Sequence, residues 1–342
     1  MKEEQLAKFV QAHLGDGLAV IVGSGLSAAE GIPGMPELAI HLTNASTALG
    51  ASDASRWATI QGELDAGVGL EAALLKHMPS VTLEAWIIGE TCAFLIPSER
   101  RVASAVINGD SELRLTKFLS RCLRSPNGLP IVTPNYDRLT EIACEMAGYH
   151  VDTGTIGTYA GTFDMERSFM AACKSVTSRG KVASLDFHPR AIVLKPHGSF
   201  DWYRHSTTAR RSCMDIDGAE RMIITPGINK YKAGYAAPFD VHRALANEHI
   251  DRASRLLVVG YGFNDDHLQT HLVKRIKDGV PTLILTRAIS ESTAQIVCAA
   301  PKTVVISMPA TGDGAVITHN GVTRHRRGAP IWDLGVLTEE LL

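Results

Sequence analysis

LAVIVGSGLSA, residues 18–28, joins a wholly apolar pentapeptide to a glycine-rich turn. An unbroken apolar run of this length suits a parallel strand covered on both faces, not a half-exposed one, which would alternate. The run ends in Gly23-Ser24-Gly25-Leu26-Ser27-Ala28, a G-x-G-x-x-A turn that opens a predicted helix over 24–30. Glycines there let the backbone turn tightly and approach a pyrophosphate, whose charge meets the N–H groups at the helix start. The plainer reading is a turn kept tight only for packing. Its place directly after a buried strand favours phosphate binding.

Outward from this turn the chain alternates. Upstream, Leu6, Phe9, Val10 and Leu14 fall on one helical face. Downstream, residues 36–125 carry helical periodicity and no convincing strand, which predicts a helical insertion subdomain. Strands are then predicted at LPIVT (129–133), AIVLK (191–195), MIITP (222–226), RLLVVG (255–260), TLILT (282–286) and TVVIS (303–307). Helices are predicted at 136–147, 239–253, 264–277 and 290–299, while 152–190 is polar and irregular. The alternation predicts an α/β fold: a Rossmann-like parallel sheet with helices on both faces and right-handed crossovers, in one domain spanning 1–342. Residues 301–342, with Asn320-Gly321 as a turn signal, are expected to form a C-terminal arm or hairpin.

Composition narrows the function classes. The 342 residues are 45% hydrophobic with a formal net charge of −2, so no basic excess signals nucleic acid. No apolar run reaches about 18 residues, so no membrane span is expected. The start, MKEEQLAKFV, is unlike a signal peptide. The six cysteines (92, 122, 144, 173, 213, 298) are far apart, which fits a reduced, cytoplasmic setting better than a disulfide framework. No Gly-Lys-Ser/Thr phosphate loop is present, against an NTPase. A dehydrogenase would carry an acidic residue at the end of a second strand about 20 residues on, where Gly31-Ile32-Pro33 and helical sequence stand instead.

Ligands of open α/β sheets bind beyond the carboxyl ends of the strands. Three later strands run into polar clusters: Pro134-Asn135-Tyr136-Asp137, Pro196-His197-Gly198-Ser199, and Tyr261-Gly262-Phe263-Asn264-Asp265-Asp266. Each has a simpler explanation alone: Asp137 or Asn264 as a helix cap, His197 as a turn or core histidine. Together with the glycine turn they put an amide, an imidazole and carboxylates around one crevice.

These motifs resemble the sirtuins. Gly23-Ser24-Gly25-Leu26-Ser27 with Gly31-Ile32-Pro33 is similar to the sirtuin NAD loop, Thr133-Pro134-Asn135-Tyr136-Asp137 to its T-Q-N-I-D, and His197-Gly198 to its H-G, in the same order over about residues 15–290. The chain departs from the family in lacking the two Cys-x-x-Cys pairs of the zinc module, so no metal is expected, and in having Gly34-Met35-Pro36 where Phe-Arg is usual. K-x-H-G-S-x-x-W (Lys195 to Trp202) and V-G-Y-G-F-N-D (Val259 to Asp265) resemble the bacterial anti-phage branch, found in Thoeris systems and beside HerA-type ATPases or short Argonautes.

The resemblance implies a NAD+ glycohydrolase that releases nicotinamide and ADP-ribose and depletes NAD+ in defence. It implies that Asn135 and His197 are catalytic. Gly23, Ser24, Gly25, Ser27, Pro33, Thr133, Asp137, Gly260, Gly262 and Asn264 would hold the dinucleotide. A homo-oligomer or a complex with a HerA-type ATPase or another defence subunit is the expected assembly. The competing readings are a NAD-dependent protein deacylase and a non-catalytic NAD- or ADP-ribose-binding subunit.

Overall fold

The computed structural model describes residues 2–342 except 180–181, 226–235, 264–265 and 299. Its main sheet, among the described residues, has nine strands. In chain order these are β1 (Leu18–Val22), β2 (Leu129–Val132), β3 (His150–Asp152), β8 (Arg190–Leu194), β12 (Arg255–Val259), β13 (Thr282–Thr286), β14 (Thr303–Ser307), β15 (Ala315–His319) and β16 (Val322–Arg326). The spatial order is β16-β15-β14-β13-β12-β1-β2-β8-β3. All neighbours from β14 to β3 are parallel, and the hairpin β15–β16 adds an antiparallel edge.

The five apolar residues of β1 divide by the period-two rule of strands. Leu18, Val20 and Val22 pack on one face with α1 (Glu3–Ala12), α7 (Arg114–Leu119), α8 (Leu139–Met146) and α13 (Leu334–Leu341). Ala19 and Ile21 pack on the other with α10 (Phe239–Arg252), α11 (Asp266–Lys277) and α12 (Glu291–Cys298). Both faces are therefore covered, as an unbroken apolar strand requires. The chain leaves β1 through α2 (Ser24–Ala29), on the first face, and reaches β2; it leaves β12 through α11, on the second face, and reaches β13 on the other side. The gap between the ends of β1 and β12 is thus the switch point of the sheet, where a crevice opens.

Between β1 and β2 lie helices α3 (Met35–Ala45), α4 (Ala51–Asp65), α5 (Leu70–Lys76), α6 (Val81–Ile107) and α7. Leu38, Leu42, Trp57, Ile60, Leu70, Leu74, Leu83 and Ile87 form a cluster of their own there. The start of α6 is fixed by Ser80, whose Oγ accepts from the Leu83 amide and donates to Asp53. By length and composition alone α6 could cross a membrane, though charged residues from Glu84 to Arg101 interrupt its apolar sequence. It instead bridges two cores, with Leu83 and Ile87 in the helical cluster and Cys92, Leu95, Ile96 and Val106 in the main one.

Residues 152–190, which carried weak signals, follow on from β3 and hold β4 (Thr155–Ile156), β5 (Gly161–Phe163), α9 (Met165–Ala171), β6 (Cys173–Arg179) and β7 (Val182–Phe187). Strands of two or three residues are too short to show a period. Together with β9 (Gly198–His205), β10 (Thr208–Arg211) and β11 (Glu220–Ile223), β5 and β4 build a second, five-stranded sheet in the order β11-β9-β10-β5-β4. The predicted helix at 136–147 begins only at Leu139, because Asn135, Tyr136 and Asp137 are held in a non-helical turn.

Candidate active site

The switch point is built by two glycine turns pressed together. Gly23 N–H donates to Val259 O (2.8 Å), Gly25 N–H to Gly260 O (2.9 Å) and Gly260 N–H to Leu285 O (2.9 Å). A Cβ on Gly23 would stand 2.3 Å from Gly260 O, and one on Gly260 would stand 2.4 Å from Leu26 N. Gly260 also has φ +62°, so no other residue fits there without strain. The packing reading of the G-x-G turn therefore holds for Gly23 and Gly25, whose missing side chains admit a second loop.

A cavity of about 650 Å³ lies over this turn. Ser24, Gly25, Gly260 and Gly262 line it together with Pro134, Asn135 and His197, and its far side reaches Thr286, Arg287, Met308 and Trp332. Residues from the ends of separate strands thus meet in one space. A smaller recess adjoins it and shares Ser24, Met35, Asn135 and Tyr136. Ile32, Pro33, Leu38, Leu95 and Phe200 make this recess apolar, with Ser27 and Asp137 as polar groups in its wall. Gly23 and Thr133 are buried beneath, and Thr133 Oγ1 accepts from the Asn135 amide (3.1 Å). Asn264 lies outside the described residues.

Asn135 is held by its own amide. Its Nδ2 donates to Gly23 O (3.1 Å) and Ser27 Oγ (2.9 Å), and since a carbonyl can only accept, the amide orientation follows. Ser27 Oγ in turn donates to Asp137 Oδ2 (2.8 Å), and Leu139 N–H donates to Asp137 Oδ1 (3.2 Å). Asp137 thus takes up the first amide of α8 from just outside the helix, whose cap position is Arg138, while facing the recess. Burial pushes its carboxyl pKa up, against the pull of Lys195 and of the Ser27 hydroxyl. His197, 8% exposed, precedes β9, and its carbonyl accepts from Ile224 N–H (2.9 Å). Gly198, with φ +83°, lets the chain turn sharply behind it.

Sequence reasoning missed the charges under this turn. Lys195, 1% exposed, donates through Nζ to Asp137 O (2.5 Å) and to Glu141 Oε1 (3.1 Å). Glu141 lies on α8, and burial pushes its carboxyl pKa up against the attraction of Lys195. Lys195 N–H donates to His242 Nδ1 (3.2 Å), an imidazole whose pKa burial lowers to about 3, with Lys195 adding to the effect. Asp201, on β9, is desolvated too, yet Arg211 (2.7 Å) and Lys195 hold its carboxyl below the usual range. A lysine closing an apolar strand was the available signal, because a buried ammonium requires an acid nearby.

The C-terminal segment also reaches the cavity. Trp332, Asp333 and Leu334 line it, and Asp333 caps α13 through Gly335 N–H (2.9 Å) and Val336 N–H (3.2 Å). Arg114 Nε donates to Asp333 (2.6 Å), and its Nη1 donates to Glu30 (2.9 Å), just beyond α2. This clamp ties the wall to the end of α2.

No curated protein matches the chain. Among solved structures, a Sir2 homolog–NAD complex is 14% identical with a TM-score of 0.44, over 100% of this chain and 93% of that one. A mutant Sir2 homologue with ADP-ribose is 13% identical with a TM-score of 0.44, over 100% and 95%. A structure described by the mechanism and regulation of Sir2 enzymes is 13% identical with a TM-score of 0.42, over 85% and 88%. These values are too low to assign a function. In sequence, residues 130–291, which run from β2 through β8 to the start of α12, match the model of the SIR2-like domain.

Proposed function

We propose that this protein is a NAD+ glycohydrolase. The observation that carries the reading is that Asn135 and His197, from different strand ends, line the same cavity as the Gly25–Gly260 turn. The dinucleotide would lie across the switch point with its pyrophosphate over Ser24 and Gly25. The apolar recess beside Asn135 suits a nicotinamide ring, with the Asp137 carboxylate in reach of its carboxamide.

Nicotinamide leaves NAD+ as a neutral molecule, keeping the electron pair of the C1′–N bond, so its departure needs no strong acid. The ribose then carries oxocarbenium-like charge at C1′. Water adds there, and His197 takes its proton, giving nicotinamide, ADP-ribose and a released proton. Asn135, fixed through its Nδ2, has its Oδ1 to orient the water and a ribose hydroxyl. In this reading the activity depletes NAD+ in the cytoplasm during anti-phage defence. It stays latent until the chain homo-oligomerises or docks with a HerA-type ATPase or another subunit.

The test is release of nicotinamide and ADP-ribose from NAD+, without acyl peptide, over a range of protein concentrations and with the neighbouring gene product. Asn135→Ala and His197→Ala should each lose about 10²- to 10⁴-fold in rate while melting like the wild type. Release that depends on an acyl-lysine peptide would make the protein a deacylase. NAD+ binding with no release under any condition would make it a sensor subunit.

A further inference from the structure

The far end of the large cavity is lined by an exposed arginine, Arg287. From the strand that carries Asn135 to β13 there are three strand spacings, about 14 Å in all, a distance an extended dinucleotide covers. At the end of β13, Thr286 and Arg287 line the cavity. The turn that presents them is fixed: Thr286 Oγ1 donates to Ala288 O (2.7 Å), and Ser290 Oγ donates to Gly262 O (2.9 Å), tying the ends of β13 and β12 together.

The carboxylates of the lining are Glu71, on α5, and Asp333. Asp333 is taken up by Arg114 and by the two amides it caps. Arg114 is likewise occupied, by Glu30 and Asp333. Arg287 is exposed and has no ion-pair partner among the described residues. Where a dinucleotide site reads an adenosine 2′-hydroxyl it uses an acid, and where it takes a 2′-phosphate it uses an arginine. The end of β13 offers the second chemistry.

Resting on the glycohydrolase reading for the placement of the ligand, we infer that Arg287 receives a phosphate on the adenosine ribose, which makes the 2′-phosphorylated dinucleotide, NADP+, the preferred substrate. A guanidinium matches the paired oxygens of a phosphate, and a charge-assisted contact of this kind is worth about tenfold in affinity.

The experiment measures the affinity of the whole protein for ADP-ribose and for ADP-ribose 2′-phosphate by calorimetry, neither probe having a nicotinamide bond to cleave. The wild type should bind the 2′-phosphate form about tenfold more tightly. Arg287→Ala should erase that advantage while changing ADP-ribose affinity less than about twofold, and Arg287→Lys should keep part of it. Equal affinity of the wild type for both probes overturns the inference and leaves the glycohydrolase reading standing. Equal weakening of both probes by Arg287→Ala overturns it too, because Arg287 would then be stacking on the adenine. Binding of neither probe overturns both readings.

Discussion

Lys195 shows how one buried charge organises a turn. Its ammonium grips the Asp137 carbonyl and the Glu141 carboxylate, so the loop carrying Asn135 and the strand end carrying His197 are pinned to each other. Lys195→Met should cost about 3–5 kcal/mol, because it leaves Glu141 buried without a cation. Lys195→Met combined with Glu141→Leu should recover a large part of that stability, since a well-packed apolar pair often replaces a buried ion pair at little cost. Denaturant unfolding of both variants and the wild type checks this, and a double variant no more stable than the single would refute it. At this scale Asn135, Asp137 and His197 could be picked out from the sequence because polar groups after apolar strands stand out. The bonds among Asn135, Ser27 and Asp137 could not, because their partners are 108 and 110 residues apart in the chain.

At the scale of elements, buried apolar runs were legible, and strands that are polar or only two or three residues long were not. β1, β2, β8, β12, β13 and β14 are buried apolar runs, and each was readable as such. β9 was not, because its buried set includes Ser199 and Asp201, and Asp201 is tolerated there through Arg211 and Lys195. The C-terminal segment shows the same limit. Its hairpin pairs with β14, but nothing in its sequence announces that Trp332 and Asp333 wall the cavity. Asp333→Ala removes the cap of α13 and the partner of Arg114 together. It should lower stability by about 1–3 kcal/mol and loosen the cavity wall, raising the KM for the dinucleotide more than it lowers kcat. Thermal melting and steady-state kinetics read the two effects, and an unchanged KM would separate the wall from the ligand.

Across the whole molecule, two cores flank the sheet and a third belongs to α3, α4, α5 and the start of α6. Because that third cluster joins the rest chiefly through α6, it should open at a lower free energy than the sheet. Amide exchange should show α3–α5 losing protection before β1, β12 and β13. Trp57→Ala, which empties a site 1% exposed, should speed exchange in α3–α5 and spare β1. Equal acceleration everywhere would mean a single cooperative unit. The sequence by itself determined the parallel sheet, its covered faces and the strand-end residues of the candidate site, since apolar runs and turn glycines are local signals of burial and backbone geometry. Only the tertiary structure decided which strand ends meet. It placed β12 beside β1, so that Gly260 takes up the space Gly23 and Gly25 leave. It also put Lys195 under the Asn135 loop and carried residues 332–334 to the cavity wall. Those pairings depend on which distant surfaces fit together and which buried charges find a partner, and neither is written in any one stretch of the chain.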